Sequence, residues 1–282
     1  MKHGIGIMQG RLTKPKGRGI QFFPFDNWEN EFFVAQKIGI DEIEFIFDYE
    51  NYINNPLITL EGKQRISELI EQTGVSVNAV CFDYFMRRPF YKKSGNLYEE
   101  LRKENSDLIK KVIVAMEQIG IGLIEIPLVD DSSLKSDVEK SEFAKWINEI
   151  ACQYNSIKFG LETDLNPSDF LEYLNRINLP QIGANYDSGN SSGLGYDPYE
   201  EVTTLRDYIF NIHIKDRVYL GTTVPLGTGS ADFDRLFQGL DEINYQNNFI
   251  LQAARGVEGD EEKTIASQMN FITSYIQRLI GS

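Results

Sequence analysis

The stretch Asn211-Ile212-His213-Ile214-Lys215-Asp216 holds one of the two histidines in the chain. Phe210, Ile212 and Ile214 fall on one face and Asn211, His213 and Lys215 on the other, as the two-residue period of a strand requires. Three further stretches end in the same manner: Lys158-Phe159-Gly160-Leu161-Glu162, Ile182-Gly183-Ala184-Asn185-Tyr186-Asp187 and Asn248-Phe249-Ile250-Leu251-Gln252. If these are parallel neighbours, Glu162, Asp187, His213 and Gln252 meet at one end of a sheet. Taken singly, each has an ordinary explanation: a histidine bonded to backbone, an acid capping the next helix, an amide satisfying a loop. Taken together they form a hard oxygen and nitrogen donor set. That set suits one divalent ion such as Mn, Mg, Co or Zn, and neither Cys81 nor Cys152 lies on these strand ends.

The elements that must position these groups alternate along the whole length. Strands are expected at Gly4 to Gln9, Glu42 to Phe47, Ser76 to Phe82 and Leu123 to Leu128, followed by strands ending at Glu162, Asp187, Ile214 and Gln252. Helices are expected between them where apolar residues recur at helical spacing. Examples are Leu60 to Gln72, Leu97 to Ile119 with Leu101, Leu108, Val112 and Met116 inward, and Ser141 to Gln153. Asn166-Pro167 reads as an N-cap with proline in the first helical position, and Asp232 as a second cap. Ser188-Gly189-Asn190 reads as a loop. The last helix carries Ile265, Met269, Ile272, Ile276 and Leu279 on one face. Eight such units without a linker predict one α/β domain over residues 1–282, a closed (β/α)₈ TIM barrel with parallel strands. An open doubly wound sheet is disfavoured because no Gly-x-Gly-x-x-Gly follows the first strand.

Composition is consistent with that fold. Of the 282 residues, 41% are hydrophobic, enough for a large core, and two cysteines make no disulfide framework. The absence of a signal-like or membrane-length apolar run predicts a cytoplasmic protein without a membrane partner. The formal net charge of -14 opposes a nucleic-acid partner, since such binders neutralise phosphates. The basic cluster Lys14, Lys16 and Arg18 reads as a solvated loop. Exposed barrel helices leave a homo-oligomer open.

Leu161-Glu162-Thr163, Tyr186-Asp187-Ser188-Gly189-Asn190, His213-Ile214-Lys215-Asp216 and Pro225-Leu226-Gly227-Thr228-Gly229 followed by Asp232-Phe233 resemble the xylose isomerase-like TIM barrel family. That family includes sugar-phosphate isomerases and epimerases, ketose 3-epimerases, inosose dehydratase and endonuclease IV. The resemblance covers most of the chain. It implies that Glu162, Asp187 and His213 bind one divalent metal, and that the strand-eight ligand, usually a glutamate, is here Gln252. It also implies that the Gly227 and Gly229 turn is mainly structural. Two departures stand out. Gln252 offers an amide oxygen but cannot take a proton, and Asn190 stands where the epimerases tend to place a substrate-binding histidine. Two carboxylates leave a divalent ion neutral, so weaker binding and a more electrophilic ion are expected.

The chemistry that remains uses one base. A chelated carbonyl and neighbouring hydroxyl of a sugar or sugar phosphate would form an enediolate, with Glu162 as the base and Lys215 protonating or holding an oxygen. Lys215 paired with Asp216 or another acid is the alternative for that residue. One base supports aldose–ketose isomerisation, or the first half of a β-elimination as in a sugar-acid or inosose-type dehydratase. Gln252 also leaves open a non-catalytic sugar-binding barrel. Gln9, Arg11, Glu44, Arg217 and Arg255 lie at the same end and, with Asn190, are candidates for holding substrate. An arginine there would suit a phosphate or carboxylate, with a surface salt bridge as the alternative. Phe82, Tyr84 and Phe85 stack on a sugar ring or pack in the core.

Overall fold

The computed structural model describes residues 3–15, 17 and 19–281, without the side chains of residues 279–281. Lys16, Arg18 and the Leu279 side chain therefore lie outside the described residues. Eight parallel strands close into a barrel: β1 (Ile5–Met8), β2 (Glu42–Ile46), β3 (Ala79–Cys81), β4 (Leu123–Leu128), β5 (Lys158–Thr163), β6 (Ile182–Asp187), β7 (Ile209–Ile214) and β8 (Phe249–Leu251). Each strand pairs with its sequence neighbours and β1 closes the ring on β8, with Ile7 opposite Leu251. The strands are apolar toward the helices and almost wholly buried, as expected for a parallel sheet covered on its outer face.

The outer ring is formed by α1 (Trp28–Ile38), α2 (Leu60–Thr73), α3 (Gly95–Ile119), α4 (Asp137–Ala151), α5 (Pro167–Ile177), α6 (Pro198–Leu205), α7 (Phe233–Glu242) and α8 (Glu261–Gly281). Their starts follow local chemistry. The Asn166 side chain accepts from Asp169 N ahead of Pro167, and Asp232 accepts from Arg235 N. The helix expected from Ser141 begins at Asp137, because Ser136 and Glu139 form a reciprocal capping box.

Two local expectations are corrected. The third strand is three residues long rather than Ser76 to Phe82, and Ser76 makes an isolated bridge to Glu42. Ser188-Gly189-Asn190 is not a loop but opens a seven-residue helix, Ser188–Leu194. Asp187, the last residue of β6, accepts from Gly189 N and Asn190 N through Oδ1 and so caps that helix directly. The aromatic stretch after β3 folds into two short turns whose rings are core. Phe85, Phe90, Phe143 and Trp146 are all fully buried, with Phe85 stacked on Trp146 at 5.3 Å. Phe82 and Tyr84 are likewise packed against Phe47 rather than left free for a ligand.

Candidate active site

Register sets the depth of each group. Asp187 pairs with His213, and His213 pairs with Ile250, so the two donors share a level on adjacent strands. Gln252 follows Leu251, which pairs with Ile214, and its N–H donates to Ile214 O. Gln252 therefore lies level with Lys215, one layer nearer the barrel mouth. Glu162 pairs with Pro127 near the end of β5. One ligand atom each from Glu162, Asp187 and His213 falls within 4.8 Å of the others, and all three residues are buried.

The two ring nitrogens of His213 face different partners. Nε2 lies 2.9 Å from Glu44 Oε1, while Asn211 Nδ2 donates to Glu44 Oε2 at 2.7 Å. Nδ1 lies 3.5 Å from Glu162 Oε2 and 3.2 Å from Asn185 Nδ2, which also donates to Glu162 Oε2 at 3.0 Å. An ionised carboxylate only accepts, so Glu44 requires a proton on Nε2 and turns Nδ1 toward Glu162 and Asp187. This is the carboxylate–histidine arrangement that orients an imidazole toward a cation.

Charge is concentrated in this layer. Burial works against ionisation of Glu44, but the His213 charge and hydrogen bonds outweigh it and lower its pKa. Burial also works against Glu162, yet hydrogen bonds to His213 and Glu125 and the charges of His213 and Lys215 bring it down to about 2. Burial would neutralise His213 too, but the carboxylates of Glu44 and Glu125 raise its pKa well above the ordinary value. Glu125, on β4, goes the other way: burial dominates, its pKa is raised, and Oε2 has no hydrogen-bond partner. The residues present fit a divalent ion, with three convergent buried donors of hard chemistry, and an ion bound there would displace the proton that the raised His213 pKa keeps on Nδ1. Replacing Glu44 by Gln would let an amide N–H face Nε2 and reverse the tautomer. Glu44→Gln is therefore expected to weaken divalent-ion binding by about 10–100-fold, read by competition with a chromogenic chelator. An unchanged affinity would show that Glu44 does not orient the ring.

Above this layer opens a cavity of about 610 Å³, lined among others by Gln21, Glu125, Glu162, Asn190, Lys215 and Gln252. Cys81 lines it too, and both cysteines are free. Lys215 Nζ donates to Asp187 Oδ2 at 3.2 Å, Asn190 Oδ1 at 3.3 Å and Gln252 Oε1 at 3.2 Å. The acid it pairs with is Asp187, not Asp216. Asp216 is fully buried and accepts from Gly227, Gly229 and Ala231 N–H groups, which makes the glycine turn a structural device. Asn190 Nδ2 donates to Glu162 Oε1, and its Oδ1 also accepts from Arg217 Nη1 at 3.0 Å. Gln252 Nε2 donates to Gln21 Oε1 at 3.1 Å, which fixes the amide with its oxygen toward Lys215.

Among the substrate-holding candidates, Asn190 and Arg217 line the cavity, together with Arg87. Gln9, Arg11, Glu44 and Arg255 do not. Gln9 Oε1 accepts from Ile46 N inside the barrel, and Glu44 lies beneath His213. Arg11 donates to Ile20 O, and Arg255 donates to Ile20 O, Thr13 O and Gly10 O. The Arg255 guanidinium is spent on carbonyls of the loop after β1, whereas Arg11 divides its donors between Ile20 O of that loop and Gln252 O at 3.4 Å beyond β8. Glu31 on α1 completes that anchor by accepting from Gly10 N and Leu12 N. Sequence reasoning missed Glu125, Asn185, Gln21 and Arg87. Glu125 carried a signal: it is the one acid in the otherwise apolar run Leu123–Leu128.

The helix bearing Asn190 has its own buried anchor. Glu201 on α6 accepts from Tyr186 Oη at 3.1 Å and from Ser191 Oγ, both through Oε2. Burial raises the Glu201 pKa from 4.5 to about 7, against the pull of those two hydrogen bonds. An acid with a raised folded-state pKa contributes stability below its unfolded pKa and loses it as pH rises through the folded value. Glu201→Gln can present one oxygen to both hydroxyls without titrating. It is expected to match the parent in urea at pH 5 and to exceed it at pH 8, by at most about 3 kcal/mol. Equal midpoints at pH 8 would contradict this.

Comparison with known proteins agrees with the barrel fold. The family model described as xylose isomerase-like TIM barrel matches residues 32–275, and the chain belongs to that family. A putative L-ribulose-5-phosphate 3-epimerase of Haemophilus influenzae is 25% identical over 267 residues, covering 89% of this chain and 88% of that protein. The L-ribulose-5-phosphate 3-epimerase UlaE of Escherichia coli is 22% identical over 261 residues, covering 87% and 88%. Among solved structures, a xylose isomerase domain protein from Planctomyces limnophilus superposes with a TM-score of 0.78 at 18% identity over the full length of both chains. Among the described residues, no helix is long and apolar enough to cross a membrane.

Proposed function

We propose that this chain is a divalent-metal-dependent epimerase of a ketose phosphate, with an L-ribulose 5-phosphate-like sugar as the substrate class. The observation that carries the reading is the convergence of Glu162, Asp187 and His213 under a cavity of about 610 Å³ at the carboxyl ends of the strands. Barrels of this type place their chemistry there. The relatives named as L-ribulose-5-phosphate 3-epimerases support the substrate class. Glu162, Asp187 and His213 would hold the ion, with Gln252 Oε1 as a further donor. The ion would supply Lewis acidity toward a carbonyl oxygen and its neighbouring hydroxyl.

The chain's own residues then divide the work. Glu162 stays ionised and takes the proton from the carbon beside the carbonyl. The carbanion formed there is an enediolate, and Asn190 and Lys215 donate hydrogen bonds where its charge develops. Inversion needs a proton returned on the opposite face. Gln252 cannot provide it, but Lys215 Nζ, 3.2 Å from Gln252 Oε1, can. Lys215 thus takes the place that a strand-eight carboxylate would fill. Arg87 and Arg217 line the cavity and suit the phosphate; after its bonds to Asn190 and Gly221, Arg217 keeps donors free.

The test is incubation of manganese-loaded protein with L-ribulose 5-phosphate and with free L-ribulose, followed by product separation. An epimeric pentulose phosphate, formed faster than any product from the free sugar and lost on chelation, is expected. A dehydrated product would replace the epimerase reading with the lyase one. No product from either sugar would reject it.

A further inference from the structure

Lys215 sits where a cation belongs. Its ammonium is held by Asp187 Oδ2, Asn190 Oδ1 and Gln252 Oε1 at 3.2, 3.3 and 3.2 Å. Two of those atoms belong to side chains proposed above as metal donors. Asp187 Oδ1 is committed to the N–H groups of Gly189 and Asn190, so Oδ2 is the oxygen it has left for a cation. The Gln252 amide is likewise fixed, its nitrogen engaged by Gln21.

The lysine is placed by packing as well as by charge. Its aliphatic stem lies along the first turn of the Ser188–Leu194 helix, against Gly189. A Cβ on Gly189 would meet Lys215 Cγ, Cβ and Cδ at 2.5, 2.8 and 2.9 Å. The helix backbone is bare at the point where the stem crosses it. The lysine is also largely buried, with 15% of its side chain exposed, so its charge is not left to water and the carboxylate of Asp187 is its main compensation.

We propose that Lys215 is a resident cation that competes with the divalent ion for Asp187 and Gln252, and that metal entry releases its ammonium into the cavity toward the substrate. The proposal rests on the metal-binding reading given above. Two positive charges cannot share Asp187 Oδ2 at contact distance without strong repulsion in a buried site. The ion must therefore displace Nζ, and the cavity gives it somewhere to go. Loading would then do two things at once: fill the donor set and deliver the proton donor. It also accounts for Gln252. An amide oxygen accepts a hydrogen bond from an ammonium without binding it so tightly that a divalent ion could not replace it.

The experiment compares Mn²⁺ affinity of the parent and of Lys215→Met, each checked for native circular dichroism, by competition with a fluorescent chelator. Methionine keeps the stem against Gly189 and removes the competing charge. The expected result is Mn²⁺ binding at least tenfold tighter in Lys215→Met. Equal or weaker affinity overturns the proposal while leaving the metal-binding reading intact; absence of binding in both proteins overturns the two together. A second measurement needs no variant. Amine-reactive labelling of the parent, read peptide by peptide by mass spectrometry, is expected to speed up at Lys215 by at least threefold when saturating Mn²⁺ is added, with other lysines unchanged. An unchanged or slower rate at Lys215 contradicts the release of its ammonium.

Discussion

Glu162→Gln is expected to lower turnover of a ketose phosphate by about 10³-fold, in the range that a positioned general base contributes. The residue is placed for this by three independent supports. It lies one residue before the end of β5 near the mouth of the barrel, its Oε1 accepts from Asn190, and its Oε2 accepts from Asn185. The substitution keeps the volume and an oxygen for one of these donors, so the fold should be retained. Because Glu162 is also a candidate donor to the ion, the measurement must be made at saturating Mn²⁺. Initial rates there separate lost proton transfer from lost occupancy. A tenfold or smaller loss under that condition would assign the base to another group, such as Glu125, Asp83 or Asp130, the further carboxyls lining the cavity.

His213→Ala is expected to weaken divalent-ion binding by more than about 100-fold, beyond the loss that follows from disturbing a histidine's supporting partner alone. His213 is fully buried and ties together carboxylates on three strands: Glu44 on β2, Glu125 on β4 and Glu162 on β5. Its removal leaves those acids facing one another without an intervening cation, so a drop in thermal stability should accompany the loss of metal. Equilibrium dialysis with metal analysis reads the first effect and a melting curve the second. Retention of stoichiometric metal in His213→Ala would move the ion away from this cluster.

The four strand-end donors were legible because two regularities suffice to find them. Alternation fixes which side chains share a face, and parallel topology brings the carboxyl ends of all strands to one side. Glu162, Asp187 and His213 follow from those rules alone. Glu125 and Asn185 sit one layer lower inside apolar strands, where an interior polar residue and a strand-end donor obey the same alternation. Ser188-Gly189-Asn190 reads as a loop in the sequence because serine, glycine and asparagine favour turns; only the cap supplied by Asp187 tips the balance toward a helix. Arg11 and Arg255 lie at the expected end of the barrel, but Arg255 is turned by carbonyls of the loop after β1 that are 235 to 245 residues away in sequence, and Arg11 by Ile20 O, 9 residues away, and Gln252 O, 241 residues away. No local pattern encodes that choice. Lys215 was singled out for its position beside His213, whereas its three partners come from β6, the short helix and the end of β8.

On the proposed function, this barrel end moves a proton on and off the carbon beside a sugar carbonyl. The most direct measurement is hydrogen exchange: manganese-loaded protein incubated with L-ribulose 5-phosphate in D₂O, with deuterium located by NMR. One deuterium is expected at the carbon next to the carbonyl, in recovered substrate and in epimer alike, abolished by chelation and strongly slowed in Glu162→Gln. No deuterium at that carbon, with metal bound and the protein folded, would contradict it.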